Sequence, residues 1–171
     1  SSDLKNTSLK LNRLAKSKIE EAISLITYKA KFEKKSNSIP EDIFIDLLVD
    51  TYKELKEQGS YISMFLDLHE FIEMVNQYEI YIKGLDKHFA TPHTIISDYL
   101  ASKVLSKTWH CYKESDFDQS LHDVWLYCSN FIAESDKEEY LETVFKFDII
   151  LGARVAKNFQ GKYISIIQDK V

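Results

Sequence analysis

The stretch from Tyr61 to Leu85 limits the fold of this chain more than any other, because its apolar residues recur at helical spacing. Successive residues follow one another at alternating steps of four and three, which places them on one face of an α-helix. They are Met64, Leu68, Phe71, Val75, Tyr78, Ile82 and Leu85. Further apolar residues widen this face, and a helix that is apolar nearly all round is usually buried between several neighbours. The pattern therefore predicts a central helix at 61–85.

The rest of the chain also shows helical periodicity and few breakers. Its 171 residues include four glycines and two prolines, which disfavours an all-β fold and suits long helices. Besides the central helix, the sequence predicts helices from about 6–8 to 34, 40 to 58, 92 to 112, 116 to 132 and 136 to 160. We therefore expect an all-α fold: a single compact bundle of about six helices around the helix at 61–85, in one domain, 1–171. The tail, 162–171, fits either a short docking helix or an edge strand.

The net charge of −5 and the scarcity of arginine narrow the classes of partner. Arg13 and Arg154 are the two arginines of the chain. Nucleic-acid binding usually relies on a basic surface and on arginine contacts to phosphate, so a nucleic-acid partner is disfavoured. A basic protein partner is electrostatically permitted. No apolar run approaches the roughly 18 residues of a membrane span, so none is expected.

The two cysteines predict a reducing environment. Cys111 and Cys128 form neither a C-x-x-C pair nor a disulfide framework. Free thiols in helical surroundings are typical of proteins in a reducing compartment. We therefore predict a cytoplasmic location.

The absence of familiar catalytic motifs favours a protein without enzymatic activity. The sequence contains no glycine-rich phosphate loop, no nucleophile elbow and no H-E-x-x-H zinc helix. We predict a protein-binding domain that regulates or inhibits another protein, as an immunity or antitoxin-like inhibitor or an accessory subunit, without a cofactor. A helical ligand-binding regulatory domain is one alternative, because apolar pockets between helices are common.

Two groups of residues are candidates for partner binding. Acidic residues crowd the start of the predicted helix at 116–132, and a second acidic group crowds the start of the next. The first group is Glu114, Asp116, Asp118 and Asp123. Acidic residues also favour helix N-termini for structural reasons, through the helix dipole. Trp109 and Trp125 are candidate interface anchors, since Trp and Tyr dominate binding hot spots, and the alternative is that they belong to the core.

A third set, His93, His122-Asp123 and Asp148, suggests a different function. In its order of a His, a later His-Asp doublet and a final Asp, the sequence weakly resembles helical metal-dependent phosphohydrolases of the HD superfamily. The resemblance implies that His93, His122, Asp123 and Asp148 hold a divalent metal that activates water. The structural alternative is a surface His122, with Asp148 paired to a Lys or to Arg154.

Overall fold

The computed structural model describes residues 16–78, 80–160 and 168, and it confirms the all-α class. Its α-helices, numbered in chain order over these residues, are α1 (Lys16–Phe32), α2 (Glu41–Glu57), α3 (Tyr61–Phe65), α4 (Leu68–Gln77), α5 (Thr94–Thr108), α6 (His122–Cys128), α7 (Lys137–Phe147) and α8 (Ile149–Asn158). The predicted start of the first helix lies outside the described residues, as does all of the tail except Gln168. Every helix in the described ranges is too short or too polar to cross a membrane.

A small antiparallel sheet accompanies the helices. Its strands are β1 (Ser38–Pro40), β2 (Ile82–Lys83) and β3 (His88–Ala90), and β3 lies between the other two. Strand β1 pairs with β3, and β2 pairs with β3 through a hairpin. The sequence did not predict this sheet.

The chain divides into two compact units at Leu100, within α5. The first unit contains α1 to α4 and the sheet, and the second contains α6 to α8. The single domain over 1–171 stays a prediction.

The core of the first unit forms where α1 packs against α2 and α3. Apolar residues recur along α1 and α2 at steps of three and four, so each helix buries one face. The buried residues of α1 and α2 include Ile19, Ala22, Ile23, Ile26, Ala30, Phe44, Leu47, Leu48 and Leu55. Two buried threonines, Thr27 and Thr51, donate their hydroxyl hydrogens to the carbonyls four residues earlier, at 2.8 and 2.7 Å, so neither hydroxyl is left unsatisfied.

The prediction of one central helix at 61–85 is wrong, because the helix that begins at Tyr61 ends at Phe65. Leu66 is extended, and Asp67 caps a new helix: its carboxylate accepts from Glu70 N at 2.8 Å. The carboxylate of Glu70 in turn accepts from Asp67 N at 3.1 Å, which completes a capping box. Helix α4 then ends at Gln77, and Ile82 belongs to β2. The 61–85 stretch therefore contains two short helices and a strand.

This interruption changes which side chains are buried. The extended residue Leu66 resets the helical phase, so the face that the unbroken helix would have presented no longer points in one direction. Met64 and Leu85 of that face are 77% and 108% exposed. Ile62 and Leu66, which the unbroken helix would have placed at the back, are each 1% exposed. Phe71 is fully buried, as the pattern predicted.

The core of the second unit is aromatic. Trp125 and Tyr140 lie in it, and the Tyr140 hydroxyl donates to the carbonyl of Trp125 at 2.6 Å. The predicted helix at 136–160 is interrupted at Asp148, which is extended and caps α8 by accepting from Leu151 N at 2.7 Å. This cap explains how a carboxylate is accommodated within an apolar stripe.

Candidate functional site

Three members of the first acidic group lie on or cap short 3-10 turns, and only Asp123 lies in an α-helix, because α6 begins at His122. Glu114 and Asp116 are exposed on one turn, where Asp116 accepts from Lys113 N at 2.9 Å. Asp118 caps the next turn by accepting from the backbone and hydroxyl of Ser120, at 2.9 and 2.7 Å. Asp116 and Asp118 therefore have local structural roles as well as negative charge.

Negative charge is concentrated in one segment of the second unit. Residues 114–148 include ten acidic side chains and two lysines, a net charge of −8 in a chain whose total is −5. Eight of the ten are exposed, and Asp118 and Asp148 are half-buried. Glu138, Glu139 and Glu142 of α7 are exposed, and their side chains make no hydrogen bond or ion pair within the described residues.

The two candidate tryptophans belong to the core. Trp109 is 4% exposed and Trp125 is 1% exposed. Trp109 contacts Tyr140 edge to face, with ring centroids 5.2 Å apart. Neither ring lies at the surface of the second unit, so of the two groups predicted to bind a partner only the acidic one includes exposed side chains.

His122 lies between a cation and an anion. Its Nδ1 is 2.8 Å from Nη1 of Arg154, and its Nε2 is 3.8 Å from Oδ1 of Asp148. A guanidinium can only donate, so Nδ1 must accept and the ring proton belongs to Nε2, which faces the carboxylate. Arg154 also donates to Oδ1 of Asp123 at 3.3 Å.

Both oxygens of Asp148 are already bonded. Oδ1 accepts from Leu151 N, and Oδ2 accepts from Gln119 Nε2 at 2.6 Å. The hydrogen bond from Leu151 is the main reason that the pKa of Asp148 is below its ordinary value. Partial burial opposes this effect, while Gln119 and His122 add to it. The carboxylate is therefore held ionised as a helix cap.

The residues of the metal hypothesis are distributed over both units. His93 is an exposed residue of the first unit, while His122, Asp123 and Asp148 belong to the second. Among the described residues, no three His, Cys, Asp or Glu side chains are grouped so as to hold a metal ion. Arg154 brings a positive charge against His122 and Asp123, and Asp148 is engaged as a cap. The three residues of the second unit do not fit a divalent cation in this arrangement, and the metal site stays a prediction.

The sequence did not predict a groove beside the sheet of the first unit. Its volume is about 560 Å³, and its lining is Glu41, Asn76, Tyr81, Ile82, Lys83 and Phe89. Lys83 Nζ and Glu41 Oε1 form an ion pair at 2.8 Å there. The segment that supplies Tyr81, Ile82 and Lys83 was expected to be helical. Gly84 and Asp86, which belong to the hairpin turn, were the available signal for a different structure.

Comparison with protein-family models, with curated proteins and with solved structures finds no match to this chain.

Proposed function

We propose that this protein is a non-enzymatic, cytoplasmic binding domain that regulates or inhibits a basic protein partner. The observation that supports this proposal is the net charge of −8 over residues 114–148, with eight of ten acidic side chains exposed. A concentrated negative field accelerates encounter with a basic partner and excludes acidic ones.

Helix capping accounts for only part of this charge. Asp116, Asp118 and Asp148 accept backbone hydrogen bonds, and Glu138 and Glu139 lie in the first turn of α7, where the helix dipole favours acids. Glu142 lies in the middle of the same helix, where the dipole gives it no such benefit. The accumulation of charge on α7 therefore exceeds what helix formation needs.

The test compares two variants that lose the same charge. One changes Glu138, Glu139 and Glu142 to Gln. The control changes Asp42, Asp46 and Asp50, exposed at four-residue intervals on α2 of the first unit, to Asn. A partner is first captured from the native extract with the unmodified protein and identified by mass spectrometry, and association rates are then measured at low and high salt.

We expect the partner to be basic. The α7 variant should associate with it roughly tenfold more slowly at low salt, and the difference should shrink at high salt. The α2 control should retain most of the association rate. An acidic partner, or equal rates for the α7 variant and the unmodified protein at both salt concentrations, would refute the proposal.

The metal-dependent phosphohydrolase alternative is tested separately. Elemental analysis of the purified protein, together with that of a His122→Ala variant, reports whether a stoichiometric metal is bound through this residue.

A further inference from the structure

The outer edge of β2 presents main-chain groups that the sheet does not use. Gly84 N donates to His88 O at 2.8 Å, which makes residues 84 and 88 a hydrogen-bonded pair of the hairpin. Hydrogen-bonded and non-hydrogen-bonded pairs alternate in an antiparallel ladder, so the next pair, Lys83 with Phe89, is non-hydrogen-bonded. The N–H and C=O of Lys83 therefore point away from β3, and no strand in the described ranges pairs with that side.

The opposite edge of the sheet is closed. The same alternation applies there, because Glu41 N donates to Lys87 O at 3.1 Å, which directs the main chain of Ser38 and Pro40 outward. Pro40 has no N–H to donate. The hydroxyl of Ser36 accepts from Ser38 N at 3.1 Å and donates to Ser38 O at 2.6 Å. Of the two edges, only that of β2 can pair with another strand.

The groove lies where an added strand would direct a side chain. Residues paired across a ladder project to the same face, so Lys83 projects to the face of Phe89, and both line the groove. A residue paired with Lys83 from the outer side would project to that face too. Main-chain pairing with a pocket for alternate side chains is how sheet edges recognise extended peptides.

The lining indicates which side chain fits. Among the described lining residues, Tyr81 and Phe89 provide an apolar wall, Asn76 provides an amide, and the two charges, Lys83 and Glu41, neutralise each other. A charged guest would have to compete with this ion pair. An aromatic ring with one polar end, such as tyrosine, can contact the wall and hydrogen-bond to Asn76 or Glu41.

We propose that β2 and this groove bind an extended peptide segment of a partner protein as a fourth strand, with a tyrosine paired with Lys83. This site belongs to the first unit and does not depend on the acidic surface of the second. Lys on an edge strand also protects against unwanted pairing, so the experiment must detect main-chain bonding specifically.

The probes are two seven-residue peptides of the same β-forming sequence with a central tyrosine. In the first peptide, the backbone nitrogens of the tyrosine and of every second residue from it are methylated, which blocks the edge that would pair with Lys83. In the second peptide, the intervening residues are methylated instead, which blocks the opposite edge. Binding is followed by amide chemical shifts of the whole protein. We expect the Lys83 amide to shift with the second peptide and the first to bind at least roughly tenfold more weakly, because a lost main-chain hydrogen bond costs about that much.

Matched variants separate backbone pairing from side-chain contacts. Lys83→Pro removes the outward N–H, which an edge strand tolerates, and also the ion pair with Glu41, and it should abolish binding. Lys83→Gln also loses the ion pair but keeps the N–H, and it should bind. Asn76→Tyr fills the groove and should weaken binding, whereas Gln77→Tyr, an exposed neighbour outside the lining, should not.

Three results would overturn the proposal. They are equal affinities for the two methylated peptides, no shift of the Lys83 amide with either peptide, and concentration-dependent dimerisation that Lys83→Pro abolishes. The last would show that a second copy of this chain occupies the edge. None of them would affect the test of the acidic surface.

Discussion

The hydroxyl of Tyr81 donates a hydrogen bond of 2.9 Å to the hydroxyl of Thr27, 54 residues earlier in the chain. The hydroxyl of Thr27 in turn donates to the carbonyl of Ile23, so the two hydroxyls form a buried series of hydrogen bonds that ends on α1. Because Tyr81 immediately precedes β2, this series fixes the start of the strand against the first helix.

Thr27→Val should therefore destabilise the protein by about 1–3 kcal/mol, because it leaves the buried Tyr81 hydroxyl without its acceptor. Tyr81→Phe removes the donor instead and leaves the hydrogen bond from Thr27 to Ile23 intact, so its cost should be smaller, about 0.5–1.5 kcal/mol. Urea unfolding measures both. Equal costs, or a larger cost for Tyr81→Phe, would contradict this account of the pair.

Ser24→Ala should stabilise the protein, in contrast to Thr27→Val. Ser24 is 2% exposed, and within the described residues its hydroxyl has no hydrogen-bond partner. Alanine removes that desolvation cost and is the better helix former, so the free energy of unfolding should rise by about 1 kcal/mol. Thr27→Val, on the same helix and also buried, is the control that should lower it. A loss of stability in Ser24→Ala would mean that its hydroxyl is satisfied.

The unfolding free energy should fall at alkaline pH. Burial raises the pKa of Tyr81 to about 12 and that of the Cys128 thiol to about 12. Both groups are neutral in the folded protein at a pH where the unfolded chain has already lost the proton. Their contribution is thus complete below about pH 9 and is lost progressively towards pH 12. Urea midpoints measured from about pH 8 to pH 11 test this, and Tyr81→Phe should make the decline shallower.

Phe71→Ala should cost about 3–5 kcal/mol, as large-to-small changes in a core do. Phe71 is 0% exposed, and its ring centroid lies 5.5 Å from that of Tyr52. Met64→Ala is the matched control, because Met64 was predicted on the same helical face but is 77% exposed; it should change stability by less than about 0.5 kcal/mol. Similar losses of stability for the two variants would instead support a single unbroken helix at 61–85.

Gly152→Ala should destabilise the second unit although alanine favours helices. A Cβ at Gly152 would overlap the buried ring of Phe145, so α7 and α8 could not pack as closely. We expect a net loss of about 1–3 kcal/mol from overpacking, measured by thermal unfolding. Phe145→Leu in the same background should recover part of the loss, and no recovery would place the clash elsewhere.

Structural features that depend on one local signal could be predicted from the sequence. Gly59, at the predicted end of the second helix, has φ of +66°, a conformation that glycine adopts without strain. The interruption at Asp67 was also encoded, since Asp67 and Glu70 have capping-box spacing, but the apolar periodicity of 61–85 outweighed it in the prediction. A period of 3.6 shows where a helix would be amphipathic and does not show whether a cap divides it.

Structural features that depend on contacts between distant parts of the chain could not be predicted from the sequence. Strand β2 pairs with β3 through a local hairpin, but β3 also pairs with β1, about fifty residues earlier, and no local pattern shows that second pairing. The acidic residues of the candidate site could be read directly, whereas the burial of Trp109 and Trp125 was decided by packing in the second unit. Side-chain type gives charge, and tertiary structure decides exposure.

The closed edge at Ser38 and Pro40 limits how the protein can aggregate. Fibrils grow because every added sheet presents a fresh edge to the next molecule. If two molecules joined through β2, each would turn outward the edge that Ser36 and Pro40 have already closed. Growth through the described sheet would therefore stop at the first pair, and the chain can keep one strand edge open without becoming the seed of a polymer.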